Sequence, residues 1–275
     1  MKKTLFVFIL LLLVSEDIKA QFSQVTEEPT TSVEKDYTHT RGLWLGTYTK
    51  YRLNEKMFYY GEYHYRRTNN FIEDMAQVYL RFGLTYLVNN RLELTAGVVT
   101  PFYWAPQQDL PDQDNVVPQY RLWQQVLLVQ PFDRLKLYHT FRFEQRWRRD
   151  YVVDSPFELT YRFRYKISGY YPLNNYKLVN KTLFASFYEE IFIQAGETIT
   201  YNYMEDNRVF LGLGYILNEN IQIQAGYMWT FRYNKGPTSF EHRHIPRLSI
   251  YHNLDFHRKR IERRKERVLI LDEEF

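Results

Sequence analysis

From Arg41 onward, apolar and polar side chains alternate with period two over stretch after stretch, and short polar segments punctuate the pattern. Successive strand side chains point to opposite faces, so this alternation predicts strands with one apolar wall and one polar wall. Leu43, Leu45, Thr47, Thr49, Tyr51 and Leu53 share one face against Trp44, Gly46, Tyr48, Lys50 and Arg52. After Asn54-Glu55-Lys56 the pattern resumes through Met57, Tyr59, Gly61, Tyr63 and Tyr65, with Glu62, His64 and Arg66 opposite, which reads as a hairpin. Ala76 to Val88 and Leu92 to Trp104 repeat it across Asn89-Asn90. Further pairs flank Pro131-Phe132-Asp133 and Asn218-Glu219-Asn220.

About eleven strands are readable, including a less regular one over Lys181 to Ile193 and a last one over Ile245 to Leu254 that contains Pro246. A simple single-chain bacterial barrel is expected to have an even number. The fold class is therefore all-β, an antiparallel transmembrane β-barrel of about 10 to 12 strands with 12 preferred, a hidden strand being sought between Thr198 and Met204.

The membrane assignment begins at the N-terminus. Lys2 and Lys3 precede an apolar run from Leu5 to Val14 that leads to Ala20, the pattern of a cleaved secretory signal peptide. That run is too short for a transmembrane helix, which needs roughly 20 apolar residues, and no second long apolar stretch follows. A mean hydropathy of -0.51 excludes a helical membrane protein. It does not exclude a barrel, where only alternate residues face lipid. The organisation expected is 1–20 signal peptide, 21–41 polar linker, 42–256 barrel and 257–275 charged tail.

Phe, Trp and Tyr make up 18% of the chain, a composition suited to strands and to membrane interfaces. Phe102, Trp104, Trp147, Trp229 and Phe231 fall at strand ends beside longer connections, and Tyr86 and Tyr215 fall near the short turns. Two aromatic levels separated by Leu, Val and Ala match two membrane interfaces, with short turns periplasmic and long loops external. The chain has no Cys, which removes disulfides and thiolate chemistry. The formal charge of +4 leaves a barrel body near +1 once signal peptide and tail are set apart, so nucleic-acid binding has no global electrostatic support.

The segments Arg121-Leu122-Trp123-Gln124-Gln125, His139-Thr140-Phe141-Arg142-Phe143-Glu144-Gln145-Arg146-Trp147, Gly212-Leu213-Gly214-Tyr215 and Ala225-Gly226-Tyr227-Met228 together resemble the family of domain of unknown function 2490. The similarity runs from about Gly42 to Phe256, and the charged tail departs from it. The resemblance implies a bacterial outer-membrane barrel without an established activity.

If the apolar walls meet lipid, Arg81, Arg142, Glu144, Arg146, Glu158, Arg162, Arg164, Lys166, Glu190, Arg208 and Arg232 point inward. A basic lumen would favour anions, so the leading expectation is a narrow porin-like channel for small polar or anionic solutes. The alternatives are a closed structural or adhesive barrel that binds a surface partner through external loops, in which Arg and Glu fill the interior, and a soluble lipocalin-like barrel. Outer-membrane lipid and the barrel-assembly machinery are the expected partners. No enzyme is expected, because Ser168, Ser186 and Ser249 lie in no recognisable motif and His139 faces outward. No cofactor motif is present, and neither His242 with His244 nor the Asp109, Asp112 and Asp114 loop completes a metal pattern. The tail from His257 to Val268 reads as a short charged helix.

Overall fold

The computed structural model describes residues 34–106, 110–234 and 236–257. The expected signal peptide, most of the polar N-terminal segment, Asp109 and the tail beyond His257 lie outside them. The described chain is all-β. Its strands are β1 (Asp36–Arg41), β2 (Leu43–Arg52), β3 (Met57–Thr68), β4 (Asp74–Asn89), β5 (Leu92–Trp104), β6 (Val116–Pro118) and β7 (Tyr120–Pro131). There follow β8 (Lys136–Arg148), β9 (Glu158–Pro172), β10 (Leu183–Ala195), β11 (Met204–Ile216), β12 (Ile221–Tyr233) and β13 (Ser239–Asp255).

Eleven of these close into a barrel in which each strand pairs with the next by antiparallel ladders from β2 round to β13, the short β6 standing aside against β5. Consecutive hairpins reverse direction at every step, so the first and last strands of an odd-numbered meander run the same way. Closure is accordingly parallel, Trp44 to Arg52 lying beside Arg247 to Asp255. The count falls within the ten to twelve expected, and the sheet is mixed rather than wholly antiparallel. The preferred twelve rested on even parity, which holds only where closure too is antiparallel.

Two expectations about strand position are corrected. No strand occupies Thr198 to Met204 before β11 begins; that stretch is connection. Beside the short β6, the additional strand is β1, within the segment read as a linker. Asp36 to Arg41 pairs in parallel with Ser239 to His244 and extends β2 beyond the reach of β3. Its composition carries no apolar face, so its strand character comes from the length of β13, which offers it an edge. Pro246 sits where β13 passes from β1 to β2, between the last pair with β1 at His244 and the first with β2 at Arg247. A residue without an N–H fits a position that makes no ladder pair on that side.

The turns divide the barrel into two ends. At the turn end, connections cluster at 53–56, 90–91, 132–135 and 217–220, with β9 to β10 (173–182) the long exception. At the loop end lie the segments joining β5 to β7, β8 to β9 and β10 to β11. Exposed Leu84, Val98, Leu122, Phe163, Leu211 and Ile250 occupy the outer wall, while Arg81 and Arg146 are among the largest fully buried side chains. The barrel is thus apolar outside and charged inside, the reverse of a soluble protein's core.

Candidate functional site

The interior is organised around Glu144, which is 0% exposed. The register sets Trp123 beside Glu144 and Glu144 beside Arg162, so neighbouring inward positions on β7, β8 and β9 meet at mid-barrel. Glu144 accepts from Arg162 at 2.5 and 3.0 Å, from Arg81 at 2.9 Å and from Arg164 at 3.0 Å, and Arg121 lies 3.5 Å away. One carboxylate therefore faces four guanidiniums, an arrangement tolerable in a low dielectric only because further acceptors share the charge. Arg142 and Arg164 are direct cross-strand partners, an unfavourable like-charge pair taken alone. They diverge. Arg164 donates to Glu190 at 2.6 Å, while Arg142 donates to Gln125 at 2.8 Å and lies 3.6 Å from Glu62.

Two further clusters lead toward the loop end. Glu205 accepts from Arg146 at 2.7 Å and from Arg162 at 3.1 Å. Asp206 accepts from Arg208 at 2.6 Å and from Arg243 at 3.2 Å. Toward the turn end Lys50 pairs with Glu93 at 2.7 Å, and Arg52 lies 3.7 Å from Asp255 at the rim.

Of the eleven candidates, Arg81, Arg142, Glu144, Arg146, Arg162, Arg164 and Glu190 are buried in the interior, and Lys166 and Arg208 are half-buried there. Glu158 and Arg232 keep the inward parity but are exposed. Glu158 opens β9 and Arg232 is next to last in β12, so both reach solvent at the loop-end rim, and Arg232 lies 3.8 Å from Glu241. The interior also contains Glu62, Arg66, Arg121, Glu205, Asp206, Arg243 and Arg247, none of them among the sequence candidates. All but Glu205 alternate in step with the inward positions of their own strands, which was the available signal; Glu205 breaks step with Asp206 and Arg208 where the β10–β11 register shifts.

Trp123 packs the middle of the barrel because two glycines make room for it. Gly83, Gly97 and Trp123 lie side by side across β4, β5 and β7. A Cβ on Gly83 would come within 2.7 Å of the indole, and one on Gly97 within 1.9 Å of the Phe82 carbonyl oxygen. The Trp123 Nε1–H donates to that carbonyl at 3.2 Å, and the Arg81 and Arg142 guanidiniums lie 4.7 and 4.8 Å from the ring centroid. Glycine here permits close approach of an aromatic ring to backbone, its usual role inside a strand.

Among the cavities of the interior are one of about 100 Å³ toward the loop end and one of about 90 Å³ toward the turn end. Tyr48, Tyr60, Arg142, Lys166, Tyr188 and Arg247 line both and form a waist between them. At the turn end Leu178, from the β9–β10 connection, packs with inward-facing Phe184 and Ile216. Arg134 secures this connection by donating to the Pro172 carbonyl at 2.9 Å.

Ser168, Ser186 and Ser249 are buried on the inner wall. His139 is on the outer wall, hydrogen-bonded to Tyr165 at 2.9 Å and Gln130 at 3.1 Å. His242 and His244 belong to β13, and β1 brings His39 beside them with ring centroids 5.0 and 6.1 Å apart. The rings stack, and among the described residues no group of three His, Asp or Glu is placed to hold a metal. Asp114 pairs with Arg149 at 2.5 Å.

A family model described as a protein of unknown function, DUF2490, matches residues 41–241. The chain belongs to the DUF2490 family. The match covers the barrel from the start of β2 into the first residues of β13, so the Glu144 cluster, Trp123 and the waist residues other than Arg247 lie within the DUF2490 region. No curated protein matches the chain.

Proposed function

We propose that this DUF2490 barrel is a non-enzymatic integral protein of the bacterial outer membrane, closed at rest by its own side chains and presenting its long loops to a surface partner. The observation that carries the proposal is the mid-barrel plug, in which Glu144, Arg81 and Trp123 are each 0% exposed. A porin holds a water-filled lumen; here six side chains form a waist shared by two small interior cavities. The basic interior would suit anion passage, but a conducting pathway would require that waist to part.

The apolar outer wall supports the membrane location. Leu211, at mid-strand, is 68% exposed, a position that water penalises and lipid accepts. On the outside near the loop end, Trp229, Phe231, Tyr233 and Phe240 pack ring against ring, stacked or edge to face, as an interfacial belt would. A lipocalin-like barrel would need the opposite placement of apolar and charged walls. Export through the signal peptide and insertion by the barrel-assembly machinery follow from this location. The non-enzymatic reading is supported by the separation of the inner-wall serines from His139 on the outer wall.

Fractionation of expressing cells tests the proposal. Recovery in the outer-membrane fraction, with a folded band that migrates faster before boiling than after, is expected. Recovery in the soluble fraction without detergent would overturn it.

A further inference from the structure

We propose that the cavity on the loop side of the waist binds one small, multiply charged oxyanion of phosphate or sulfate size. The argument rests on interior charge and geometry, independently of whether the barrel conducts.

Nine cationic side chains line this cavity against two carboxylates, Glu62 and Glu190. Glu144, just behind the lining, does not remove the excess. Three of the nine, Arg66, Lys166 and Arg247, make no ion pair with a carboxylate among the described residues. Arg66 donates to Gln77 at 2.7 Å and lies 3.6 Å from the Trp44 ring centroid. Arg247 donates to the Tyr188 hydroxyl at 2.5 Å and to the Tyr48 hydroxyl. Lys166 has the Tyr188 ring at 5.6 Å and faces Glu190 across the β9–β10 ladder without an ion pair. All three face the same space, and buried positive charge in excess of its counter-charge is costly.

Residues lining the cavity also carry unused donors. Arg66 Nε, Arg81 Nη1 and Arg121 Nε are buried without an acceptor among the described residues. The Tyr48 hydroxyl accepts from Arg247, which leaves its own proton free for an acceptor in the cavity. Planar guanidinium forks match the paired oxygens of a tetrahedral oxyanion and suit a spherical halide poorly. A volume of about 100 Å³ admits a phosphate-sized ion. Arg66 and Arg208 lie near the loop end and Lys166 and Arg247 deeper, so positive charge leads from the loop-end mouth to the cavity floor.

The test is calorimetric titration of inorganic phosphate into the full mature chain folded in detergent, at fixed ionic strength in a chloride buffer. One saturable site per chain is expected. Lys166→Met and Arg247→Met should each weaken binding at least tenfold, while Arg149→Met, on the external loop, should leave it unchanged. Heat-modifiable migration verifies folding, and Arg66→Gln replaces any variant that fails to fold. Short-chain phosphatidic acid separates a lipid headgroup from a free ion, and it should not displace bound phosphate where sulfate does. Absence of a saturable site, unchanged affinity in folded Lys166→Met, equal competition by chloride, or preference for the lipid phosphate would each overturn the proposal.

Discussion

The two halves of the interior are held by different physics. Toward the loop end, guanidiniums and carboxylates interlock around Glu144, Glu205 and Asp206. Toward the turn end, Thr85 bonds Thr95 at 2.8 Å, Thr140 and Gln224 line the wall, and Leu178, Phe184 and Ile216 form an apolar stopper. The same two-residue periodicity builds both. Periodicity decides which side chains point inward, and residue identity decides whether the inner wall is cemented by charge or by packing. The charged half is the one with positive charge in excess, so any recognition of an ion belongs there.

The largest expected effect breaks the charged half. Glu144→Ala strands four arginines in a low dielectric and should lower stability by about 3–5 kcal/mol, read by urea unfolding in lipid vesicles. Glu93→Ala, which releases one lysine in the other half, should cost less; an equal loss would mean that sharing one carboxylate among several arginines adds nothing.

Next comes the boundary between the halves. Gly97→Val would press a side chain into the Phe82 carbonyl and displace Trp123. A loss of about 3 kcal/mol, at the upper end for overpacking, should accompany altered tryptophan fluorescence. An unperturbed spectrum would show that the indole does not rest on the glycine pair.

The apolar stopper gives a smaller effect. Leu178→Ala should cost roughly 2 kcal/mol, the low end for a buried leucine, because a surface connection can relax into the space. Denaturation midpoints check this, and a cost above that of Glu144→Ala would reverse the ranking of the two halves. The smallest change is expected at the loop end, where Asp114→Ala removes a partly exposed pair with Arg149 and should cost at most about 1 kcal/mol.

Much of this barrel is legible in the sequence because the alternation is a direct consequence of two walls with different surroundings. Asn54-Glu55-Lys56 and Asn218-Glu219-Asn220 mark hairpins whose registers follow from the flanking patterns. β1 is not legible, since Asp36 to Arg41 shows no wall of its own and owes its strand to β13. The even-strand expectation failed for a related reason: parallel closure depends on which ends meet, and that is a tertiary property. For the site, inward parity carried Arg81, Glu144 and Arg162 correctly into the interior. It could not mark where the strands run out, so Glu158 and Arg232 at the rim looked the same as buried residues. It also could not tell that Arg247, next to Pro246, would complete the waist.

The central claim is that the barrel spans a membrane with its interior filled. Planar-bilayer recording of the folded protein, with insertion verified independently by protease protection in vesicles of the same lipid, tests it most directly. The account predicts a flat trace for the inserted wild-type chain at moderate voltage. Stable, uniform conductance steps from that chain would contradict it and show that the waist of Tyr48, Tyr60, Arg142, Lys166, Tyr188 and Arg247 stands open in the membrane.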